Sequence, residues 1–133
     1  MPEPIWVLPE SVKAIHKRQI AEHGGEVGIR DLGLLESALA RPQNAYLYSK
    51  GKSSIQSLAA SYAFSITKNH PFIDGNKRVA LVVCILFMKL NRWVIIAKQE
   101  TLYSIFWDLA AGRLSEEALV SWLNSVSKTL KQR

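Results

Sequence analysis

Residues 70 to 78, HPFIDGNKR, gather an imidazole, one carboxylate, a glycine and two cations directly ahead of the most apolar stretch of the chain, VALVVCILFM at 79–88. An imidazole is the side-chain type that takes and releases protons near neutral pH, so His70 could accept the proton of a hydroxyl nucleophile. Asp74 is the one carboxylate of the stretch. A single carboxylate, completed by waters and phosphate oxygens, is the usual way Mg2+ is held. Pro71 and Gly75 argue against helix between His70 and Gly75, whereas a helix can begin at Asn76, near its cap position, and run on through the apolar stretch. The unpaired N–H groups and the positive dipole end of that helix would face the loop, beside the charges of Lys77 and Arg78. Such a place attracts phosphate. Gly75, Asn76, Lys77 and Arg78 are therefore the candidate anion-binding residues, and Phe72 is expected to turn inward and pin the loop to the core.

Two plainer readings compete. The stretch could be a structural helix start with His70 and Asp74 as capping groups, although capping does not require this combination. Alternatively, the basic loop could bind nucleic acid without catalysis. Against that, the basic residues are scattered, apart from Lys77 and Arg78 and a tail holding Lys128, Lys131 and Arg133, and no known binding motif is present. Direct nucleic-acid binding is not expected.

The elements that must hold this loop are mostly helical. PIWVL at 4–8 reads as an extended piece, and Pro9 suits the first position of a helix that Gly24-Gly25 ends. Val12, Ile15, Gln19 and Ile20 form its expected buried stripe, with Ala14 and His16 near the edges; His16 and His23 read as surface or cap residues. Asp31 or Gly33 can cap a helix with Leu34, Leu35, Ala38 and Leu39 inward, ending before Pro42, with Glu36 and Arg41 as surface ions. Residues 44–52 read as a loop. Ser53 or Ser54 starts the next helix, whose stripe is Ile55, Leu58, Ala59, Tyr62, Ala63 and Ile66, and whose small residues would let the helix at 76–91 approach closely. WVIIA at 93–97 has the β-branched density of a short strand and could pair with PIWVL. Two further helices are expected, one over 99–111 and one capped by Ser115, the latter with Ala118, Leu119, Trp122, Leu123, Val126 and Leu130 inward.

A chain of 133 residues with 48% apolar and 21% charged residues fits one domain spanning 1–133, not a disordered segment. The run at 79–88 is too short to span a membrane and the start lacks a signal-peptide pattern, so the cytoplasm is the expected compartment. Cys84 is the lone cysteine. It cannot form an internal disulfide and reads as a packed core thiol. A net charge of +6 suggests an acidic partner without naming one.

The stretch at 70–78 resembles the signature of the Fic/Doc superfamily, approximately HPFx(D/E)GN(G/K)R. His70, Phe72, Gly75, Asn76, Lys77 and Arg78 match it together. With each residue type used about 5% of the time, agreement at those positions by chance is on the order of 10^-8 at any one start. Lys77 stands where the death-on-curing (Doc) branch carries lysine and most Fic enzymes carry glycine; Pro71 is a Fic-like feature. The resemblance also takes in the chain length, the helical layout and the glycine-rich loop followed by ALARPQ. It implies an all-α fold, a compact bundle of about six helices with a central buried helix and a short β flap or edge. It further implies a toxin of a bacterial or phage toxin–antitoxin system, transferring the γ-phosphate of ATP to a hydroxyl of a protein, characteristically translation elongation factor Tu. In that scheme His70 is the base, Asp74 holds Mg2+, and Gly75, Asn76, Lys77 and Arg78 cradle the phosphates. Tyr46, Tyr48, Lys50 and Lys52 would belong to a flap that receives the target near the site. An antitoxin would bind in trans beside the site, in keeping with the absence of an (S/T)xxxE(G/N) inhibitory run. The sister activity, transfer of AMP, uses the same His70 and Asp74 and is the alternative.

Overall fold

A computed structural model of the chain describes residues 3–130. Six helices and one two-stranded sheet follow in the order α1 (Pro9–His23), α2 (Leu32–Tyr48), α3 (Ile55–Asn69), α4 (Asn76–Leu90), β1 (Trp93–Ile95), α5 (Gln99–Ala110), α6 (Glu116–Val126) and β2 (Ser127–Thr129). This is the all-α bundle with a small β edge that the sequence leads one to expect.

The helix starts follow local chemistry. Pro9 occupies the first turn of α1, where its missing N–H costs nothing. The side chains of Asp31, Ser54 and Ser115 accept from Leu34, Ser57 and Ala118 N–H and so cap α2, α3 and α6. Burial is deepest along α3 and α4, which pack together at the centre. Leu58, Ala59, Ala60, Tyr62, Ala63 and Ile66 of α3 meet Val79, Ala80, Val83, Cys84, Phe87 and Met88 of α4, all of them buried. The small residues of α3 serve two partners, since α2 packs on it as well. Burial pushes the Cys84 thiol up to about 12, which makes it an inert packing group. The Tyr62 hydroxyl, buried and accepting from Val7 N–H at 3.2 Å, is likewise pushed up to about 12 by burial.

Three expectations are corrected. The strand at 93–95 pairs with β2, in antiparallel register Trp93↔Thr129, Val94↔Lys128 and Ile95↔Ser127, and not with residues 4–8. The N-terminal segment is instead held by the Asn91 side chain, whose amide accepts from Ile5 N–H at 2.8 Å and donates to Ile5 O at 2.9 Å. A side-chain amide thus does for that segment what a neighbouring strand would. Consequently α6 ends at Val126, Leu130 is 41% exposed, and Lys128 lies on β2; Lys131 and Arg133 fall outside the described residues.

Second, Pro42 does not end α2 but is buried inside it. A proline cannot donate to the carbonyl four residues back. Here that carbonyl, Ala38 O, accepts from the Ser65 hydroxyl of α3 at 2.8 Å, so the neighbouring helix supplies the donor that proline lacks. Third, His16 is 3% exposed and belongs to the buried stripe of α1 with Val12 and Ile20, while Ala14 is exposed. Arg41 is exposed, as expected of a surface ion, but it is paired. It forms a two-pronged pair with Glu116 at 2.7 and 2.8 Å, tying α2 to the start of α6, and its pKa is raised chiefly by the hydrogen bond to Glu116.

Among the described residues no helix is long and apolar enough to cross a membrane.

Candidate active site at the start of the central helix

The connection between α3 and α4 is held from three directions. His70 ends α3 in the left-handed conformation, φ 51° and ψ 55°, with its N–H on Ile66 O at 3.1 Å. Phe72 is fully buried, and its N–H and carbonyl are both taken by the Asn76 side chain, each at 3.0 Å. From α1, the His16 ring stacks on Phe72 at 4.0 Å between centroids and 11° between planes, with Nε2 3.0 Å from Asp74 O. Burial lowers the His16 pKa against a weaker upward pull from the Asp74 carbonyl and charge. The neutral ring with hydrogen on Nε2 is the form that donates to that carbonyl. The third support is the extended segment 24–31. It forms a β-bridge between Ile29 and Phe72, its Gly28 carbonyl accepts from Ile73 N–H at 3.0 Å, and its Glu26 N–H donates to Asp74 Oδ2 at 2.9 Å. Gly25 is required where this segment passes Asp74: at φ 112°, an added Cβ would lie 3.2 Å from the Asp74 Cβ and 3.1 Å from the Ile20 side chain.

Gly75, at φ 81°, is the residue that precedes α4, and Asn76 is the first residue within the helix rather than its cap. The first helical bond runs from Val79 N–H to Gly75 O at 2.9 Å. The N–H groups of Asn76, Lys77 and Arg78 therefore begin the helix without an intrahelical acceptor. They border a cavity of about 510 Å³ lined by His70, Asp74 to Arg78, Thr67, Gly24, Gly25, Trp107, Ala110 and Ala111. Lys77 Nζ lies 4.9 Å, and the Arg78 guanidinium carbon 5.6 Å, from the centre of the Trp107 ring, so an indole face backs both cations. Arg78 Nε is buried without an acceptor among the described residues. Such a donor is costly unless an acceptor arrives from outside the chain, as a phosphate oxygen would.

These groups also fit a divalent ion held by substrate. Asp74 is exposed; its Oδ2 is engaged by Glu26 N–H, and Oδ1 accepts from none of the described residues. Among the described residues no three His, Cys, Asp or Glu side chains cluster as a metal site. An ion at Asp74 would thus need waters and phosphate oxygens for its other positions, which is the coordination Mg2+ prefers.

Residues 6–88 match the model of the Fic/DOC family, well over half of the chain. The chain belongs to the Fic/DOC family. Over 126 residues it is 30% identical to the protein kinase doc of Escherichia phage P1, an alignment covering 95% of this chain and 93% of that protein. It is also 38% identical over 68 residues to the toxin Doc of Mycolicibacterium smegmatis strain ATCC 700084 / mc(2)155, covering 51% of this chain and 52% of that one.

Within this Fic/DOC chain, the cavity brings together His70, Asp74, Gly75, Asn76, Lys77 and Arg78, with Phe72 buried beneath them. The side chain of Asn76 is committed to Phe72, which makes it a staple of the loop. Tyr46, Tyr48, Lys50 and Lys52 do not line the cavity. Tyr46 and Tyr48 belong to the last turn of α2 and Lys50 and Lys52 follow it, so all four sit before the start of α3, whereas His70 sits at its far end. A helix of that length, 15 residues, spans about 22 Å. Tyr46 packs edge-on against Trp6, and Tyr48 is 93% exposed. The segment that does lie along the motif, as a flap would, is 24–31.

Two residues of the site escape a reading of the sequence. His16 lacks any motif partner, and its only signal is its place four residues from both Val12 and Ile20. Trp107 reads as one more apolar residue of α5. Their roles depend on long-range packing that no local pattern encodes.

Proposed function

We propose that this protein is a Doc-type toxin that transfers the γ-phosphate of ATP to a hydroxyl of a target protein. The observation that carries this reading is the convergence on one cavity of an exposed imidazole, a carboxylate with one oxygen to spare, a helix N-terminus and two cations. ATP would lay its phosphates against the N–H groups that open α4, with Lys77 and Arg78 as counter-charges and Arg78 Nε receiving its missing acceptor. Asp74 would hold Mg2+, which when bound neutralises charge on the phosphates. His70, at the end of α3, would take the proton of the incoming hydroxyl. The left-handed turn at His70 and the staple at Asn76 keep these groups at fixed spacing. Phosphoryl transfer asks little more of a protein than such positioning and charge.

Lys77 favours phosphate over AMP transfer as the outcome. A glycine there would let an anionic phosphate approach the backbone, whereas the lysine fills that space and carries its charge to the Trp107 wall. The likeness to the phage P1 protein, a kinase by name, points the same way. By analogy with the family we infer elongation factor Tu as target, translation arrest as the consequence, the cytoplasm as compartment and an antitoxin acting in trans. A depression of about 390 Å³ lined by Gln19, His23, Leu81, Leu102 and Tyr103 shares Arg78 with the catalytic cavity and is our candidate seat for the antitoxin.

Brief expression in a bacterial host followed by mass spectrometry of host proteins tests the reading. The expected product is a phosphorylated hydroxyl residue, absent when His70→Ala is expressed. An adenylylated product would assign the chain to the sister chemistry, and growth arrest undiminished in His70→Ala would remove the enzymatic reading.

A further inference from the structure

We propose that Arg30 is a positioning residue that fixes His70 for proton transfer; the proposal rests on the reading of His70 as the base. Three consecutive carbonyls at the end of α3 are all satisfied by this one residue. Arg30 donates through Nε to His70 O at 2.7 Å and through Nη2 to Asn69 O at 2.9 Å, and its backbone N–H donates to Pro71 O at 2.7 Å.

The arrangement answers two needs of the sequence. The last carbonyls of a helix have no donors of their own, and a cation is favoured at that end of the dipole. His70 also adopts a left-handed conformation that residues with a Cβ rarely visit. Something must hold it there, and a planar guanidinium can grip two adjacent carbonyls where an ammonium presents a single point of charge. Arg30 is itself fixed on either side. Ile29 is bridged to Phe72, and Asp31 caps α2 while its N–H joins Arg30 on Pro71 O at 3.1 Å. The guanidinium forms no ion pair among the described residues, so its charge faces the helix end alone. Arg30 is solvent-exposed and does not line the cavity, so its removal opens no hole in the core and leaves the anion-binding groups of α4 in place.

The test uses the full chain with Arg30→Ala, Arg30→Lys and Arg30→Gln, reading both transfer kinetics and the nitrogen-15 spectrum of the histidine rings. Arg30→Ala should lower kcat about 10- to 100-fold, the scale of a misplaced catalytic group, with KM for ATP unchanged. Lysine should not restore it, whereas added guanidinium ion should restore part of it. The His70 ring signals should broaden or split in the alanine variant, with those of His23 unmoved. Arg30→Gln, which keeps one donor, should fall between and provides a folded variant if alanine proves unstable. Wild-type His70 signals in Arg30→Ala, a KM effect in place of a kcat effect, or full rescue by lysine would each overturn the proposal. If the wild-type protein transfers nothing to any target, the enzymatic reading fails on its own, and the ring spectra still decide whether Arg30 holds His70.

Discussion

Replacing Asn76 by alanine separates two roles for a residue that the motif alone would make a phosphate ligand. Its amide accepts from Phe72 N–H and donates to Phe72 O, both at 3.0 Å, and it is 4% exposed above a residue with no exposure at all. Alanine leaves a backbone donor and a backbone acceptor in a place water reaches poorly. Each unsatisfied group costs about 1–3 kcal/mol, so with some relaxation the loss should total about 2–4 kcal/mol. For a chain of this size that corresponds to a fall in Tm of roughly 6–16 °C. Asn76→Asp should be no milder, because it keeps an acceptor for Phe72 N–H but sets a carboxylate against Phe72 O. Urea unfolding without nucleotide measures the cost directly. A stability within about 0.5 kcal/mol of wild type, combined with weakened ATP binding, would refute the staple and return Asn76 to the role of ligand.

Other consequences are equally open to measurement. Ser65→Ala should cost about 1–2 kcal/mol by orphaning Ala38 O, and distinctly less in a Pro42→Ala background, where the new backbone N–H can take that carbonyl; equal costs in the two backgrounds would rule out the compensation. His16 carries a pKa below its ordinary value of 6.5, mainly through burial, with the Asp74 charge as a weaker opposing influence. The unfolded chain therefore binds this proton first as pH falls. The contribution of the neutral ring is complete above the ordinary value and is lost as pH drops through the folded one. Unfolding free energy measured across this range should fall more steeply for wild type than for His16→Gln, and parallel slopes would contradict the assignment. Tyr62→Phe removes the hydroxyl that Val7 N–H donates to and should cost about 1–2 kcal/mol in chemical denaturation, with ATP binding unchanged.

What the sequence revealed, and what it concealed, divides along the range of the interactions. Ser54, Ser115 and Asp31 announce their helices because a cap acts within three residues, and the chemistry of 70–78 is legible because one continuous stretch carries it. Pro42 misled because its usual effect was cancelled by Ser65, a hydroxyl 23 positions away. That reversal carries α2 on to Tyr48, through residues expected in a loop. The pairing of WVIIA with PIWVL failed for a similar reason: Asn91 offers the N-terminal segment an amide, and the chain beyond α6 takes the strand edge. His16 shows the limit most plainly. Its helical spacing was correct, yet nothing local distinguishes an imidazole at the surface from one stacked on Phe72 beneath the loop.

On the function proposed above, the cavity at the start of α4 presents ATP for transfer of its terminal phosphate, with His70 as base. The most direct measurement is incubation of the purified protein and elongation factor Tu with ATP labelled separately at the α and γ positions, alongside His70→Ala. γ-Label should appear on the factor, α-label on none of it, and neither with the variant. Transfer of α-label, or γ-transfer that persists in His70→Ala, would contradict it.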